Sequence, residues 1–411
     1  MKKNFLATFL VVLLVGGFGF VGTVPVGASE GSTNVNGIID SDTKWTEDNS
    51  PYILTGPVGV AIGVTLTIEP NVTVNLGDYS LQVDGTLYAR GGSGENNIIF
   101  ISKTPTYGNI AFTNGSASEL TGLSSLIENA ILYSTTISVN NVAMRINNNT
   151  IMGSINIDHE AAPVISNNII AGDIGVHRSS PKIDHNSIIG GINIGGDLPV
   201  ISNNIIEGGG VSRIGIKYEG PTVVNISSNV IYGCSIGISR QEGGAIIEKN
   251  LIIDNDIGIE GLAVMANNTI ARNSVGIKIR ESYPIIISNN IQDNRQNSIY
   301  LENVPNDVDA TGNWWGTVDT QLINMSIHDR KSEPKLGVVN IVPILLSPVL
   351  YAPTTDYTPI THPSLASPDQ TKAQPTTQIG ILEIAVAVII LSVIINISLV
   401  IVVARLLRKK H

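Results

Sequence analysis

Cysteine is almost absent from this chain. Cys234 is the only one in 411 residues, so an intramolecular disulfide is excluded and the fold must rest on a large apolar core. Aromatic residues make up only 5% and charged residues only 14%. That scarcity of charge, with few Lys and Glu, argues against an ordinary helical globular protein. The 43% hydrophobic content argues equally against a disordered chain. Basic residues are scarcest of all in the middle. Lys2, Lys3, Arg405, Arg408, Lys409 and Lys410 occupy the two ends, which leaves 18 basic residues against 33 acids between Ser29 and Leu382, about −15. A surface of that sign repels phosphate backbones, so no nucleic-acid partner is expected. What is plentiful is Gly, Asn, Ile and Val, the composition of many short strands separated by turns.

The two ends set an address. Residues 1–28 read as a secretory signal peptide: Lys2 and Lys3, an apolar stretch over 5–15 broken only by Thr8, and small residues Val26, Gly27 and Ala28 before a cleavage point. An uncleaved anchor is the alternative reading. At the other end, residues 384–404 carry no charge, enough at about 1.5 Å per residue to span a membrane core of roughly 30 Å. With Glu383 at its outer boundary, the expected transmembrane helix is 383–404, and the basic tail 405–411 marks the cytoplasmic side. The expectation is a single-pass protein of the cell membrane with its bulk outside. Residues 347–382, rich in Pro, Thr and Ser, read as a stalk.

Between them lies a repeat. A hydrophobic residue followed three positions later by Asn recurs at Asn129, Asn149, Asn168, Asn186, Asn204, Asn229, Asn250, Asn268, Asn290 and Asn313. A second short strand follows each, as in Ile155-Asn156-Ile157, Ile174-Gly175-Val176, Ile192-Asn193-Ile194 and Ile257-Gly258-Ile259. Strands this short are stable only when stacked coil upon coil. The expected fold is all-β: a single-stranded solenoid, a right-handed parallel β-helix of roughly 13 coils over 57–346, plus the C-terminal transmembrane helix. Residues 29–56 are expected to be an N-terminal segment and entrance cap containing Trp45. The aligned asparagines suit a ladder, because one amide both donates and accepts.

These repeats resemble right-handed parallel β-helix repeat proteins of the pectate-lyase-like superfamily. The likeness covers roughly residues 40–350. It rests on the strands from Tyr52 to Ala89, on the Ile-Ser-Asn-Asn-Ile-Ile coils starting at Ile165 and Ile201, and on Gly312-Asn313-Trp314-Trp315-Gly316-Thr317 followed by Ile327-His328-Asp329 and Val342-Pro343. It implies the fold, and it leaves polysaccharide lyases and hydrolases, sugar-binding modules and non-enzymatic surface proteins all open.

No catalytic set emerges from the residues. Following the second strand, the outward column reads Asp158, His177, Gly195, Lys217, Ser239, Glu260 and Lys278, polar and mixed, without a run of acids. The densest group is Asp158, His159, His177, Arg178, Asp184 and His185, a candidate sugar-binding, acid–base or metal-binding patch, or else a set of exposed corners. Neither a cofactor nor a metal centre is expected, with Ca²⁺ in the turn bearing Asp254 and Asp256 as the alternative. Lone Cys234 and scattered Met144, Met152, Met265 and Met325 do not make a copper site. Trp314 and Trp315 are expected to cap the last coil. Sequons stand at Asn71, Asn114, Asn148, Asn225, Asn267 and Asn324. The functional expectation is non-catalytic surface binding or adhesion, with the membrane and polysaccharides or surface glycans as partners. The alternatives are a polysaccharide lyase or glycoside hydrolase, or a purely structural envelope component.

Overall fold

A computed structural model describes residues 31–357 except 95, 104–107, 114–123, 197, 210–212, 262 and 281–283; the side chains of 221–222 and 241–243 are also left aside. The expected signal peptide 1–28, the stalk beyond residue 357, the helix 383–404 and the tail 405–411 lie outside the described residues. Among the described residues no helix is long and apolar enough to cross a membrane.

The described chain is an all-β parallel solenoid of about 12 turns, against the roughly 13 expected. Each turn places one short strand in each of three parallel sheets. Sheet A contains Arg145–Asn147, Val164–Ser166, Lys182–Asp184 and Val200–Ser202; sheet B contains Thr150–Met152, Ile169–Ala171, Ser187–Ile189 and Ile205–Glu207; sheet C contains Ile155–Asp158, Ile174–His177 and Ile192–Gly195. Register is kept from coil to coil, as in Ile146↔Ile165, Ile165↔Ile183 and Ile183↔Ile201. In one coil Ile165 points inward from sheet A, Ile170 from sheet B, and Ile174 and Val176 from sheet C, all fully buried. Each such side chain contributes about 1.5–3 kcal/mol of burial, and repetition along the axis replaces the missing disulfides.

The first coil starts earlier than the repeat indicates. Thr33–Ile39 already pairs in parallel with Tyr52–Val60, and Thr43–Trp45 with Thr65–Ile68. Trp45 is buried and stacks on Tyr52 with ring centroids 4.7 Å apart. At the other end, Trp315 is buried and half-buried Trp314 bridges to Asn290, its indole N–H donating to Gln292 Oε1 at 3.1 Å.

Sheets A and B join through a two-residue corner. Its first residue has positive φ (Asn148, Asn167, His185, Asn203, Ser228, Lys249, Asn267, Ser288), a conformation that costs most residues energy and that Asn tolerates best after Gly. Its second residue forms the ladder Asn149, Asn168, Asn186, Asn204, Asn229, Asn250, Asn268, Asn289 and Asn313. Asn168 is typical: its Oδ1 accepts from both the backbone N–H and Nδ2 of Asn149 at 2.9 and 3.0 Å, and its Nδ2 donates to Ile146 O at 2.9 Å. Two positions differ from the expected register by one residue. Asn129 occupies the positive-φ corner, and Ala130 stands at the ladder position, donating its N–H to Asn149 Oδ1. At the far end Asn289, rather than Asn290, accepts from Asn268. In both places consecutive aliphatics (Leu126-Ile127 and Ile285-Ile286-Ile287) allow two registers. The inward residues are Ile127, paired with Ile146, and Ile286, paired with Met265.

A second ladder lies at the corner between sheets B and C. Asn255 accepts from Cys234 N–H, Asn273 from Asn255 and Asn294 from Asn273, at 2.9–3.1 Å. Finally, residues 347–357, the start of the Pro/Thr-rich segment, lie on the outer face of sheet B. Val349 N–H donates to Asn290 Oδ1 at 2.8 Å, Thr269 Oγ1 donates to Pro353 O, and Arg272 Nη1 donates to Thr355 O at 3.2 Å. Tyr357 packs on Tyr232 with centroids 5.4 Å apart.

Candidate functional site

The outer face of sheet C carries a cross-linked network of charged and aromatic side chains. Two of its strands, Ile214–Ser227 and Ile236–Glu248, stay extended through the corner into sheet A. They are followed by Ile257–Glu260, Val275–Arg280, Asn297–Glu302 and Ile327–His328. Period-2 alternation sends Ile238, Ile259, Ile277 and Ile299 inward and the residue after each outward. The outward column reads Asn193, Lys217, Ser239, Glu260, Lys278, Tyr300 and His328, each paired in register with the next. Beside it, Arg280 pairs with Glu302.

These side chains neutralise one another. Arg280 Nη1 lies 3.0 Å from Glu260 Oε1, and its Nε bonds Glu302. Lys278 Nζ lies 3.0 Å from Glu302 Oε1 and 5.7 Å from the centre of the Tyr300 ring. Tyr300 stacks on His328 at 4.3 Å with planes 10° apart, and His328 Nε2 lies 4.0 Å from Glu333. Lys217 pairs with Glu219 at 2.5 Å. Hydrogen bonding from Lys278, with help from Arg280, holds the Glu302 carboxyl below its ordinary range despite some desolvation. A general acid needs the opposite shift. The arrangement therefore offers fixed donors and acceptors beside the stacked Tyr300–His328 pair.

The expected outward column is corrected at one step. Lys217 pairs with Asn193, and Gly195 pairs with Glu219. The cause is the longer coil between Asn204 and Asn229, whose extra residues shift the register by two and leave the in/out alternation intact. The sequence reading also stopped at Lys278. It missed Arg280, Tyr300, Glu302 and His328, although Ser298-Ile299-Tyr300-Leu301-Glu302 repeats the pattern of Gly276-Ile277-Lys278-Ile279-Arg280.

The six-residue patch divides. Asp158, His159 and Arg178 come together: Arg178 Nη2 lies 3.4 Å from Asp158 Oδ1 and 3.2 Å from His159 Nε2, and His159 Nδ1 lies 3.3 Å from Asp158 Oδ2. Desolvation raises the Asp158 pKa, but the His159 backbone N–H and the charges of His159 and Arg178 outweigh it, and the net shift is downward. His177 sits on the next strand, paired with Gly195, where any Cβ would meet its ring. Asp184 and His185 belong to sheet A. Asp184 Oδ1 accepts from Ser202 Oγ at 2.6 Å and Asn203 Nδ2 at 2.8 Å, and its Oδ2 lies 3.0 Å from His185 Nδ1 and 3.3 Å from Lys182 Nζ. Desolvation opposes these bonds, yet the net pKa of Asp184 is driven far down. His159, Arg178 and His185 all have positive φ, which makes them corner residues.

Other candidates resolve individually. Asp254 is clamped by Arg272, whose Nη2 lies 2.8 Å from Oδ2. Among the described residues no group of three or more His, Cys, Asp or Glu converges as a metal site. Burial, together with the charge of Glu207 and against a backbone hydrogen bond from Gly208, pushes the Cys234 thiol up to about 12. Of the sequons, Asn71, Asn148 and Asn225 are exposed and Asn267 and Asn324 half-buried; Asn114 lies outside the described residues.

No protein-family model matches the chain, and no curated protein matches it. Among solved structures, a crystal structure of a periplasmic alginate epimerase is similar at 13% sequence identity, covering 71% of this chain and 76% of that one, with a TM-score of 0.32.

Proposed function

We propose that this chain is a membrane-anchored, extracytoplasmic right-handed β-helix that binds glycans on the outer face of sheet C without cleaving them. The observation that carries the reading is the in-register column from Lys217 to His328 with the Arg280–Glu302 pair beside it: Lys217, Glu260, Lys278, Arg280 and Glu302 are all charge-paired. Paired charges hold their positions and present many hydrogen-bonding groups, which is what recognition of sugar hydroxyls requires. The placement outside a membrane rests on the apolar stretches 5–15 and 384–404 and on the basic tail.

A second reading is a polysaccharide lyase or glycoside hydrolase. It is favoured by Glu260 and Glu302 sharing the Arg280 guanidinium, with Lys278 and the Tyr300–His328 pair beside them. Screening the purified full chain in detergent against a panel of neutral and acidic polysaccharides separates the two. Retention of at least one glycan, with no new reducing ends and no unsaturated products, is expected. Product release, or no glycan bound at all, overturns the first reading.

A further inference from the structure

The charges on the outer face of sheet C cancel. Among its described residues from Lys217 to His328, the outward cations are Lys217, Lys278 and Arg280, and the outward anions are Glu219, Glu260 and Glu302. Every cation is already engaged. Lys217 reaches Glu219, Lys278 reaches Glu302, and Arg280 spans Glu260 and Glu302. The one histidine of the column, His328, has Glu333 4.0 Å away. Two of these side chains are nearly shut off from water, Glu260 at 10% exposure and Lys278 at 15%. The remaining cation on these strands, Arg240, stands in register with the inward Tyr218. Residues 210–212, 241–243, 262 and 281–283, which adjoin the strands in sequence, include no Lys or Arg, whereas Glu242 and Glu281 are acids.

We infer that the ligand of sheet C is an uncharged glycan and that polyuronates are turned away, which rests on the reading of this face as a glycan-binding one. A ligand carboxylate needs a cation that is not already neutralised. If it captured Arg280, Glu260 would lose its counter-charge in a position where water barely reaches, and a buried charge stripped of its partner is strongly destabilising. If it settled beside the pairs without breaking them, it would meet three anions and three cations, with no net attraction. The long-range field acts in the same direction, because the chain between Ser29 and Leu382 carries about −15 and repels a polyanion on approach. A neutral sugar disturbs none of the pairs. Its hydroxyls both donate and accept, so they suit the outer oxygens and N–H groups that the ion pairs leave facing solvent.

The test is calorimetry on the full chain in detergent with three matched pairs of oligosaccharides: glucan and polyglucuronate, galactan and polygalacturonate, mannan and polymannuronate. At least one neutral member is expected to bind, more than about tenfold tighter than its uronate counterpart, with affinity changing less than about twofold between roughly 50 and 500 mM salt. Glu302→Gln removes one anion and leaves the face with one cation in excess. It should raise uronate affinity about tenfold, and that added binding should weaken with salt, with circular dichroism and melting checked. Glu219→Gln, on the more exposed pair with Lys217, makes the same test if Glu302→Gln fails to fold. Uronate binding by the unsubstituted chain as tight as that of the neutral partner overturns the inference and leaves the glycan-binding reading standing. Neutral binding with no added uronate binding in either variant also overturns it, since charge balance then does not set the choice. No binding of any of the oligosaccharides to the unsubstituted chain overturns the glycan-binding reading itself, and the inference with it.

Discussion

A ladder amide serves several buried groups at once. Asn204 Oδ1 accepts from the backbone N–H and the Nδ2 of Asn186, and its Nδ2 donates to Ile183 O, all at 2.9–3.0 Å and fully buried. Replacing Asn204 by Ala strands two donors and one acceptor where water does not reach. At about 1–3 kcal/mol for each unsatisfied group, after partial relaxation, Asn204→Ala should lower unfolding free energy by about 3 kcal/mol in urea titrations. Asn203→Ala, one residue earlier and on the surface, should cost about 1 kcal/mol through its positive φ. Cys234 makes a complementary prediction. With its thiol pushed up to about 12, only about one molecule in ten thousand holds a thiolate at pH 8. Iodoacetamide should leave the native chain unmodified for hours and label it fully in denaturant; rapid labelling of the native chain would contradict the burial. At this scale the sequence was partly legible. Asn149 to Asn268 stood out because one hydrophobic residue sits three positions earlier in each. Asn129 and Asn290 lie one residue off the ladder because Ala130 holds the ladder position beside Asn129, and because Asn289 and Asn290 are adjacent and either fits the spacing. The second ladder at Asn255, Asn273 and Asn294 carried a readable signal, since Asn250, Asn268 and Asn289 precede it by a constant five positions.

Among the elements, the three sheets share an aliphatic interior and differ only in what faces outward. Sheet C is charged and cross-paired from Lys217 to His328, while sheet B is apolar and partly covered by residues 347–357. Nothing in local composition announces that coverage: Pro348, Pro353 and many Thr look like spacer sequence, and only the apolar Tyr232, Leu251 and Ile253 opposite them reveal a docking face. Tyr357→Ala removes the ring packed on Tyr232. It should raise amide exchange in Val230–Tyr232 and Leu251–Ile253 about tenfold, with no change in the distant strand Leu66-bearing Thr65–Ile68. Uniform exchange along the solenoid would contradict a local clamp. The site on sheet C was only half legible for the same reason. The two-residue alternation marks Glu260, Lys278, Arg280, Tyr300 and Glu302 alike as outward, whereas which of them meet across coils requires the register to be known.

As a whole molecule, the described chain stabilises itself by repetition. Each coil buries its aliphatics against the coils above and below, so stability is close to a sum of neighbouring-coil terms. That regularity made the solenoid readable from Ile and Asn spacings alone. It also obscured function, because stacking explains the repeat without any ligand. What stacking leaves unexplained is the outward column on sheet C. From Lys217 to His328 it crosses five coil steps, about 24 Å at 4.8 Å per step. The most direct measurement is the affinity of the full chain for size-graded oligosaccharides of whichever glycan it retains, compared with Arg280→Ala, Tyr300→Ala and Arg178→Ala. Binding along sheet C predicts affinity that climbs with length until the glycan spans about 24 Å, falls more than tenfold in Arg280→Ala and Tyr300→Ala, and is unchanged in Arg178→Ala. Length-independent affinity, or loss only in Arg178→Ala, would contradict it.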